Sequence, residues 1–89
     1  MRKAVILQVY GRVQGVGFRY YTQRKANELG IFGFIQNKGD GSVYIEAEGE
    51  EEILNVFVAW CHQGPQWAKV QDIIISDVPA LMRNEFIIR

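Results

Sequence analysis

The sequence predicts an α+β fold in which the elements follow the order β-α-β-β-α-β and end with a short strand. Three observations lead to this prediction: strand-like alternation near the N-terminus, two segments with helical periodicity, and a Gly-rich turn between alternating segments. The chain has 89 residues, of which 48% are hydrophobic, so it holds enough apolar material for one modest core. We therefore expect a single domain over residues 1–89.

A change of period separates the first strand from the first helix. Apolar residues alternate with more polar ones over residues 5–9, as in a strand with one better-buried face. From Phe18 to Leu29 the apolar residues recur at helical spacing, and Gly30 is a C-terminal stop. The first two elements are thus a strand and a helix.

The next elements are predicted to form a hairpin. Residues 31–37 read as a second strand, and residues 38–41, Lys-Gly-Asp-Gly, have strong turn chemistry. Residues 43–48 alternate again as a third strand.

A second helix begins near the acidic run 50–52, where negative charge suits the helix dipole, and ends at Gly64-Pro65. Its inner face is expected to carry Ile53, Phe57, Trp60 and Cys61. A fourth strand is expected from about Ala68 to Ser76, then a loop around Pro79 and a short strand over 86–88. Right-handed crossovers place both helices on one face of a mainly antiparallel sheet, which is the ferredoxin-like α/β sandwich.

The segment 11–19, Gly-Arg-Val-Gln-Gly-Val-Gly-Phe-Arg, has the composition of an anion cradle. Gly15 and Gly17 permit backbone dihedrals that let consecutive N–H groups converge on one oxyanion. The helix that follows adds unpaired donors and partial positive charge, and Arg19 adds a planar fork of donors. The expected ligand is a phosphoryl group, held by these residues: Gln14, Gly15, Val16, Gly17, Phe18 and Arg19.

Other phosphate loops fail on specific residues. The chain contains no Gly-Lys pair, which a Walker loop requires. A dinucleotide fingerprint starting at Gly15 needs a glycine at position 20, where Tyr20 stands. A cysteine phosphatase needs an arginine shortly after its thiol, but Cys61 is followed by Trp67 in a comparable place, so we expect Cys61 to be a packing residue.

The cradle segment resembles the signature of the acylphosphatases, small enzymes that hydrolyse the carboxyl-phosphate bond, without a break over its length. A second family element is matched by residues 33–37, Gly-Phe-Ile-Gln-Asn, with Asp40-Gly41 after them. Weaker similarities, Ala-Glu-Gly at 47–49, Gly-Pro at 64–65 and the final Phe-x-Ile-Arg, extend the resemblance over most of the chain. The resemblance implies the same α/β sandwich and acyl phosphate hydrolysis.

Arg19 and Asn37 are the candidate catalytic residues. The loop after the first strand and the end of the second strand can lie side by side, so both side chains can face one pocket. An amide cannot act as a base, but it can hold a water through one donor and one acceptor contact. The carboxylate leaving group has a conjugate acid with a pKa of about 4, so it needs no proton donor. The sequence therefore predicts metal-independent hydrolysis of a small acyl phosphate, with inorganic phosphate as product and competitor.

Three other polar groups are expected to have no role in the site, while Ser42 is undecided. His62 reads as a solvated helix-end residue, Asp40 as part of the turn, and residues 50–52 as a helix start rather than a magnesium site. Ser42 has two interpretations, a surface hydroxyl, which we favour, and a side chain that supports Asn37. We expect no metal and no cofactor.

Charge and cysteine content restrict the partners. Ten basic and ten acidic residues give a net charge of zero, which offers no general attraction to nucleic acid or to an anionic membrane. One cysteine cannot form an internal disulfide, and no apolar run resembles a signal peptide or membrane span. We expect a cytoplasmic monomer.

Two other classes of function remain open. Residues 32–35, Phe-Gly-Phe-Ile, resemble the core of an RNA-stacking signature, but Asn37 replaces its last aromatic residue and the segment falls in the second strand. The nearer alternative is a non-catalytic module that binds acyl or carbamoyl phosphate, because similar domains begin larger maturation proteins.

Overall fold

A five-stranded sheet and two helices form the protein, and the computed structural model describes residues 1–89. In chain order the elements are β1 (Arg2–Arg12), α1 (Phe18–Leu29), β2 (Phe32–Asn37), β3 (Val43–Glu50), α2 (Glu51–Gln63), β4 (Lys69–Val78) and β5 (Phe86–Ile88). The strands lie in the order β4-β1-β3-β2-β5. Neither helix is long and apolar enough to span a membrane.

The pairing of the strands confirms the ferredoxin-like topology. β1 lies between β3 and β4 and pairs with both in antiparallel orientation, for example Val5 with Ala47 of β3 and with Asp77 of β4. β2 pairs with β3 as the predicted hairpin, and β5 runs parallel to β2 at the opposite edge from β4. The loop after β1 and the end of β2 are thereby carried by strands that both border β3.

The hydrophobic core lies between the sheet and the two helices. Alternate residues of β1 and β3 point toward the helices, so Leu7, Val9, Val43 and Ile45 are completely buried. α1 contributes Phe18, Thr22 and Ala26 to the same core, in the spacing expected of one helical face. Hydrophobic burial of these alternating sets fixes the strand register, because a slip by one residue would turn them to solvent.

The predicted inner face of α2 is wrong at one position. Leu54, Phe57 and Cys61 are the buried residues of this helix, whereas Ile53 is 38% exposed. α2 begins at Glu51, and this start gives the helix a phase in which positions 54, 57 and 61 face the sheet. Trp60 packs at the margin of the core, as a partly buried side chain.

The fourth strand is longer than predicted. β4 continues to Val78 instead of ending at Ser76, because Asp77 and Val78 still pair with the first residues of β1. The chain then crosses the sheet face that carries no helix, through residues 79–85, which we call the strap.

Buried Glu48 holds the strap in place. It is 1% exposed and accepts hydrogen bonds from Arg2 Nε, at 2.8 Å, and from the main-chain N–H of Leu81, at 3.1 Å. Burial alone raises the pKa of Glu48, but the hydrogen bonds from Arg2 and the strap outweigh it and leave the pKa below its ordinary value. Arg83 completes the attachment through Glu46, at 2.9 Å.

Candidate functional site

The loop between β1 and α1 turns sharply at two glycines. Gly15 has φ 73° and Gly17, the N-cap residue of α1, has φ 76° and ψ 17°, both in the left-handed region. The Val13 side chain anchors the loop to the hydrophobic core, since it is 1% exposed. The chain therefore enters α1 through a conformation that favours glycine.

The N–H groups of residues 14–19 are the unusual feature of this loop. None of them donates to a main-chain acceptor, because the first hydrogen bond of α1 runs from Tyr21 N–H to Gly17 O, at 3.1 Å. The first turn of α1 contains no acidic residue, in contrast to α2, which begins with Glu51 and Glu52. The positive end of the α1 dipole thus has no carboxylate of its own helix to neutralise it.

Arg19 lies in the first turn of α1 and is partly exposed. Its Nη1 donates to the main-chain oxygen of Arg89, just after β5, at 3.2 Å. One turn further along α1, Gln23 donates to the main-chain oxygen of Phe86, at 3.0 Å. These two bonds fasten the start of α1 to β5 and hold the guanidinium beside the loop.

Gln14 connects the loop to the β2–β3 turn. Its Nε2 donates to the main-chain oxygens of Lys38, at 2.8 Å, and Ser42, at 2.9 Å. Asn37 is the last residue of β2, immediately before this turn, and pairs with Val43 of β3. The Gln14 side chain therefore fixes the distance between the loop and the strand end that carries Asn37.

The turn itself is organised by Asp40 and Ser42. The Asp40 carboxylate accepts from the Ser42 hydroxyl, at 2.5 Å, and from the Ser42 N–H, at 2.9 Å. Hydrogen bonds from the Ser42 side chain and main chain hold the pKa of Asp40 below its ordinary value. Ser42 is 4% exposed, so its interpretation as a surface hydroxyl is wrong, and its hydroxyl binds Asp40 and not Asn37.

A cleft of about 250 Å³ lies where these parts meet. Its walls contain six of the predicted site residues and three others, Val13, Tyr20 and Ile88; the six are Gln14, Gly15, Gly17, Phe18, Arg19 and Asn37. Val16 is the predicted phosphate-binding residue that does not line the cleft, because its side chain packs against the core. Arg19 is the one charged residue of the walls, which gives the cleft a positive character.

The sequence predicts no place in the cleft for Tyr20 or Ile88 and no hydrogen-bond partner for the Gln14 side chain. Tyr20 directly follows Arg19, and a tyrosine beside a cradle arginine is a signal that could have been used. The position of Ile88 depends on β5 pairing with β2, which no local pattern reveals.

The other polar candidates lie apart from the cleft. Cys61 is fully buried in the core, and this burial strongly raises the pKa of its thiol, as expected of a packing residue. His62 is exposed at the end of α2. No group of three or more His, Cys, Asp or Glu side chains is arranged to hold a metal ion.

A second and larger groove, of about 380 Å³, lies between α1 and the loop after α2, beside Tyr21, Trp60 and Trp67. It contains none of the predicted site residues. The unpaired loop donors, Arg19 and Asn37 meet in the smaller cleft instead.

The fold and the cleft define a class of small α+β proteins in which unpaired main-chain N–H groups and an arginine line a cleft between the first strand and the first helix. The acylphosphatase family model matches residues 5–88. An acylphosphatase of a Nocardioides species is 47% identical over 77 residues, covering 86% of this chain and 78% of the relative. The chain belongs to the acylphosphatase family, whose members are enzymes that hydrolyse acyl phosphates.

Solved structures agree with this assignment. The crystal structure of acylphosphatase from Bacillus subtilis superposes with a TM-score of 0.91 at 40% identity, over 100% of this chain and 99% of that one. Full-length HypF, in a phosphate- and nucleotide-bound form, superposes with a TM-score of 0.87 at 27% identity. This chain covers 12% of that larger protein.

Proposed function

We propose that this protein hydrolyses the carboxyl-phosphate bond of small acyl phosphates, without a metal or cofactor, to a carboxylate and inorganic phosphate. The observation that carries the proposal is the meeting of unpaired loop N–H groups, Arg19 and Asn37 in one cleft.

In this proposal the phosphoryl group lies in the cradle. Its oxygens accept from the main-chain N–H groups of residues 14–19, which have no main-chain acceptor. The Arg19 guanidinium supplies further donors in fork geometry, because its bond to the Arg89 oxygen uses a single N–H. Donors that are already in place cost no reorganisation when charge develops on the transferring group.

Asn37 has the role of positioning the water. No protein group hydrogen-bonds its side chain, and Asn37 lines the cleft from the end of β2. An amide can accept one hydrogen bond from the water and donate another to hold its orientation. Placing water in line with a fixed phosphorus removes much of the entropic barrier.

The leaving group determines the substrate class. A carboxylate departs without protonation, since its conjugate acid has a pKa of about 4. A phosphomonoester would leave as an alkoxide and would need a proton donor, and no acidic side chain or histidine lines the cleft. Acyl phosphates are therefore the substrates that suit these walls.

The proposal includes inorganic phosphate as product and competitive ligand. We also propose that the protein is a monomer that acts on small molecules and not on nucleic acid or membranes. Its location would be the cytoplasm, where a single thiol stays reduced.

Incubating the pure protein with acetyl phosphate or benzoyl phosphate, and following loss of the acyl phosphate, tests this function. We expect turnover in wild type and its loss in Arg19→Ala. Tight phosphate binding without turnover would instead identify a non-catalytic anion-binding module.

A further inference from the structure

We propose that the cleft contains a second subsite, formed by Tyr20 and Ile88, which binds an apolar and preferably aromatic acyl group. The inference rests on the proposed function, because it takes the phosphoryl group to lie in the cradle. It adds the substrate class within the acyl phosphates.

The first argument is the distribution of accessible apolar surface. Val13 and Phe18 also line the cleft, but they are 1% and 2% exposed, so they form its floor and offer almost no contact area. Tyr20 is 54% exposed and Ile88 is 40% exposed. These two side chains are therefore the apolar surface that a ligand in the cleft can cover.

The second argument is their position relative to Arg19. Tyr20 follows Arg19 in the chain, and Ile88 precedes Arg89, whose main-chain oxygen accepts the Arg19 hydrogen bond. Both residues thus lie one position from that bond, one on α1 and the other on β5. A phosphate group alone fills a minor part of a cleft of about 250 Å³, so an acyl group attached to it has room to reach them.

The Tyr20 ring packs edge-to-face on Tyr21, with ring centroids 5.1 Å apart and an interplanar angle of 78°. A planar aromatic acyl group can use such a surface better than a small aliphatic one, because it buries more apolar area.

The test compares benzoyl phosphate with acetyl phosphate by steady-state kinetics in wild type, Tyr20→Ala, Tyr20→Phe and Ile88→Ala. Because the two substrates differ in intrinsic reactivity, the quantity measured is the change in their kcat/KM ratio relative to wild type. We expect Tyr20→Ala to lower the benzoyl-to-acetyl ratio about fivefold to tenfold and Ile88→Ala about threefold. Tyr20→Phe keeps the ring and should keep the ratio.

Ile74→Ala is the matched control, since Ile74 is 49% exposed on β4 and does not line the cleft. Inhibition constants for inorganic phosphate should stay within about twofold in the Tyr20 and Ile88 variants, because phosphate does not reach the subsite. Unchanged ratios, with wild type active on both substrates, would overturn the subsite and leave the proposed function standing. A wild type that hydrolyses neither substrate would overturn both.

Discussion

Arg19 combines two tasks because a guanidinium has five N–H donors in one rigid plane. One donor binds the main-chain oxygen of Arg89, and the rest of the fork is available to a ligand. The side chain is thereby oriented before any ligand arrives. The Asn37 side chain has no comparable hydrogen bond. Its position follows from the pairing of Asn37 with Val43 and from the Gln14 bond that holds the neighbouring turn.

Replacement of Arg19 by alanine should lower kcat/KM for acetyl phosphate by about a hundredfold or more, because a contact to developing charge is lost. Arg19→Lys should recover little, since lysine lacks the fork. The melting temperature without ligand should change little, whereas its increase on adding phosphate should disappear. Arg24→Ala, at an exposed arginine of the same helix outside the cleft, is the control. A variant with more than about half of wild-type activity would remove Arg19 from the mechanism.

Replacement of Asn37 by alanine should separate rate from affinity. We expect kcat to fall by about two orders of magnitude, as typical for loss of a positioning contact in the transition state. The inhibition constant for phosphate should change less than about threefold, because the water and not the phosphate is misplaced. Steady-state kinetics with phosphate inhibition, supported by circular dichroism, provide the measurement. Affinity that falls in step with rate would make Asn37 a binding residue.

At the scale of elements, the site depends on three connections to the start of α1: the left-handed entry at Gly17, the Gln14 contacts to the β2–β3 turn, and the two bonds to β5. The entry and the cradle glycines could be predicted from sequence, since glycine spacing before a helix has a local signature. The Gln14 contacts could not, because an amide in a loop has no pattern that names its acceptors.

The error in α2 has a similar origin. Ile53 and Leu54 are adjacent apolar residues, and composition alone does not tell which one faces the sheet. The start of α2 after Glu50 decides it, and that start is set partly by tertiary contacts, such as the hydrogen bond from Glu51 N–H to Met1 O at 3.1 Å. No local pattern reveals the burial of Ser42, because it depends on the contacts of Ser42 with Asp40 and Gln14 in the turn.

Gln14→Ala should therefore lower activity although no ligand contact is proposed for this side chain. We expect about a tenfold loss of kcat and about 1–2 kcal/mol of unfolding free energy, from two lost hydrogen bonds. Gln14→Glu has the same shape but presents oxygens to two carbonyl groups, so it should be no better than alanine. Gln63→Ala, at the exposed end of α2, is the control. Kinetics and urea unfolding measure both effects, and full activity in Gln14→Glu would contradict a positioning role.

Over the whole molecule the charge sums to zero, so attraction for an anion is a local property of the cleft. Two hydrogen-bonded carboxylates lie elsewhere: Glu48 under the strap and Asp40 in the turn. Both have pKa values below the ordinary range, so both remain ionised at neutral pH.

These pKa values lead to a prediction about pH. A carboxylate whose pKa is lowered by folding stabilises the fold above its unfolded pKa, and the contribution disappears as pH falls through the lowered value. The Asp40 and Glu48 contacts should therefore persist from about pH 5 to 8, and burial keeps the Cys61 thiol neutral throughout. We expect the hydrolysis rate to vary less than about twofold over this range, measured with acetyl phosphate and corrected for its spontaneous decay.

Treatment with EDTA should leave that rate unchanged, and glycerol phosphate should be cleaved at least about a thousandfold more slowly than acetyl phosphate. Activity that vanishes with EDTA and returns with magnesium would contradict the mechanism. Comparable rates on both substrates would do so as well, since the cleft would then need a proton donor.

β5 contributes Ile88 to the wall of the cleft, and local opening of this strand can limit the rate of product release. It has three residues, forms an edge of the sheet, and pairs with β2 alone, while β1 pairs on both sides along most of its length. Short edge elements open far more often than central strands, so Ile88 should leave the cleft, and the Arg89 oxygen should leave Arg19, transiently while the core stays folded. Hydrogen exchange should show the Arg89 amide, which donates to Ile35 O at 2.8 Å, exchanging much faster than β1 amides and slower with phosphate bound. The frequency of this local opening would then set an upper limit on how fast a bulky carboxylate product escapes.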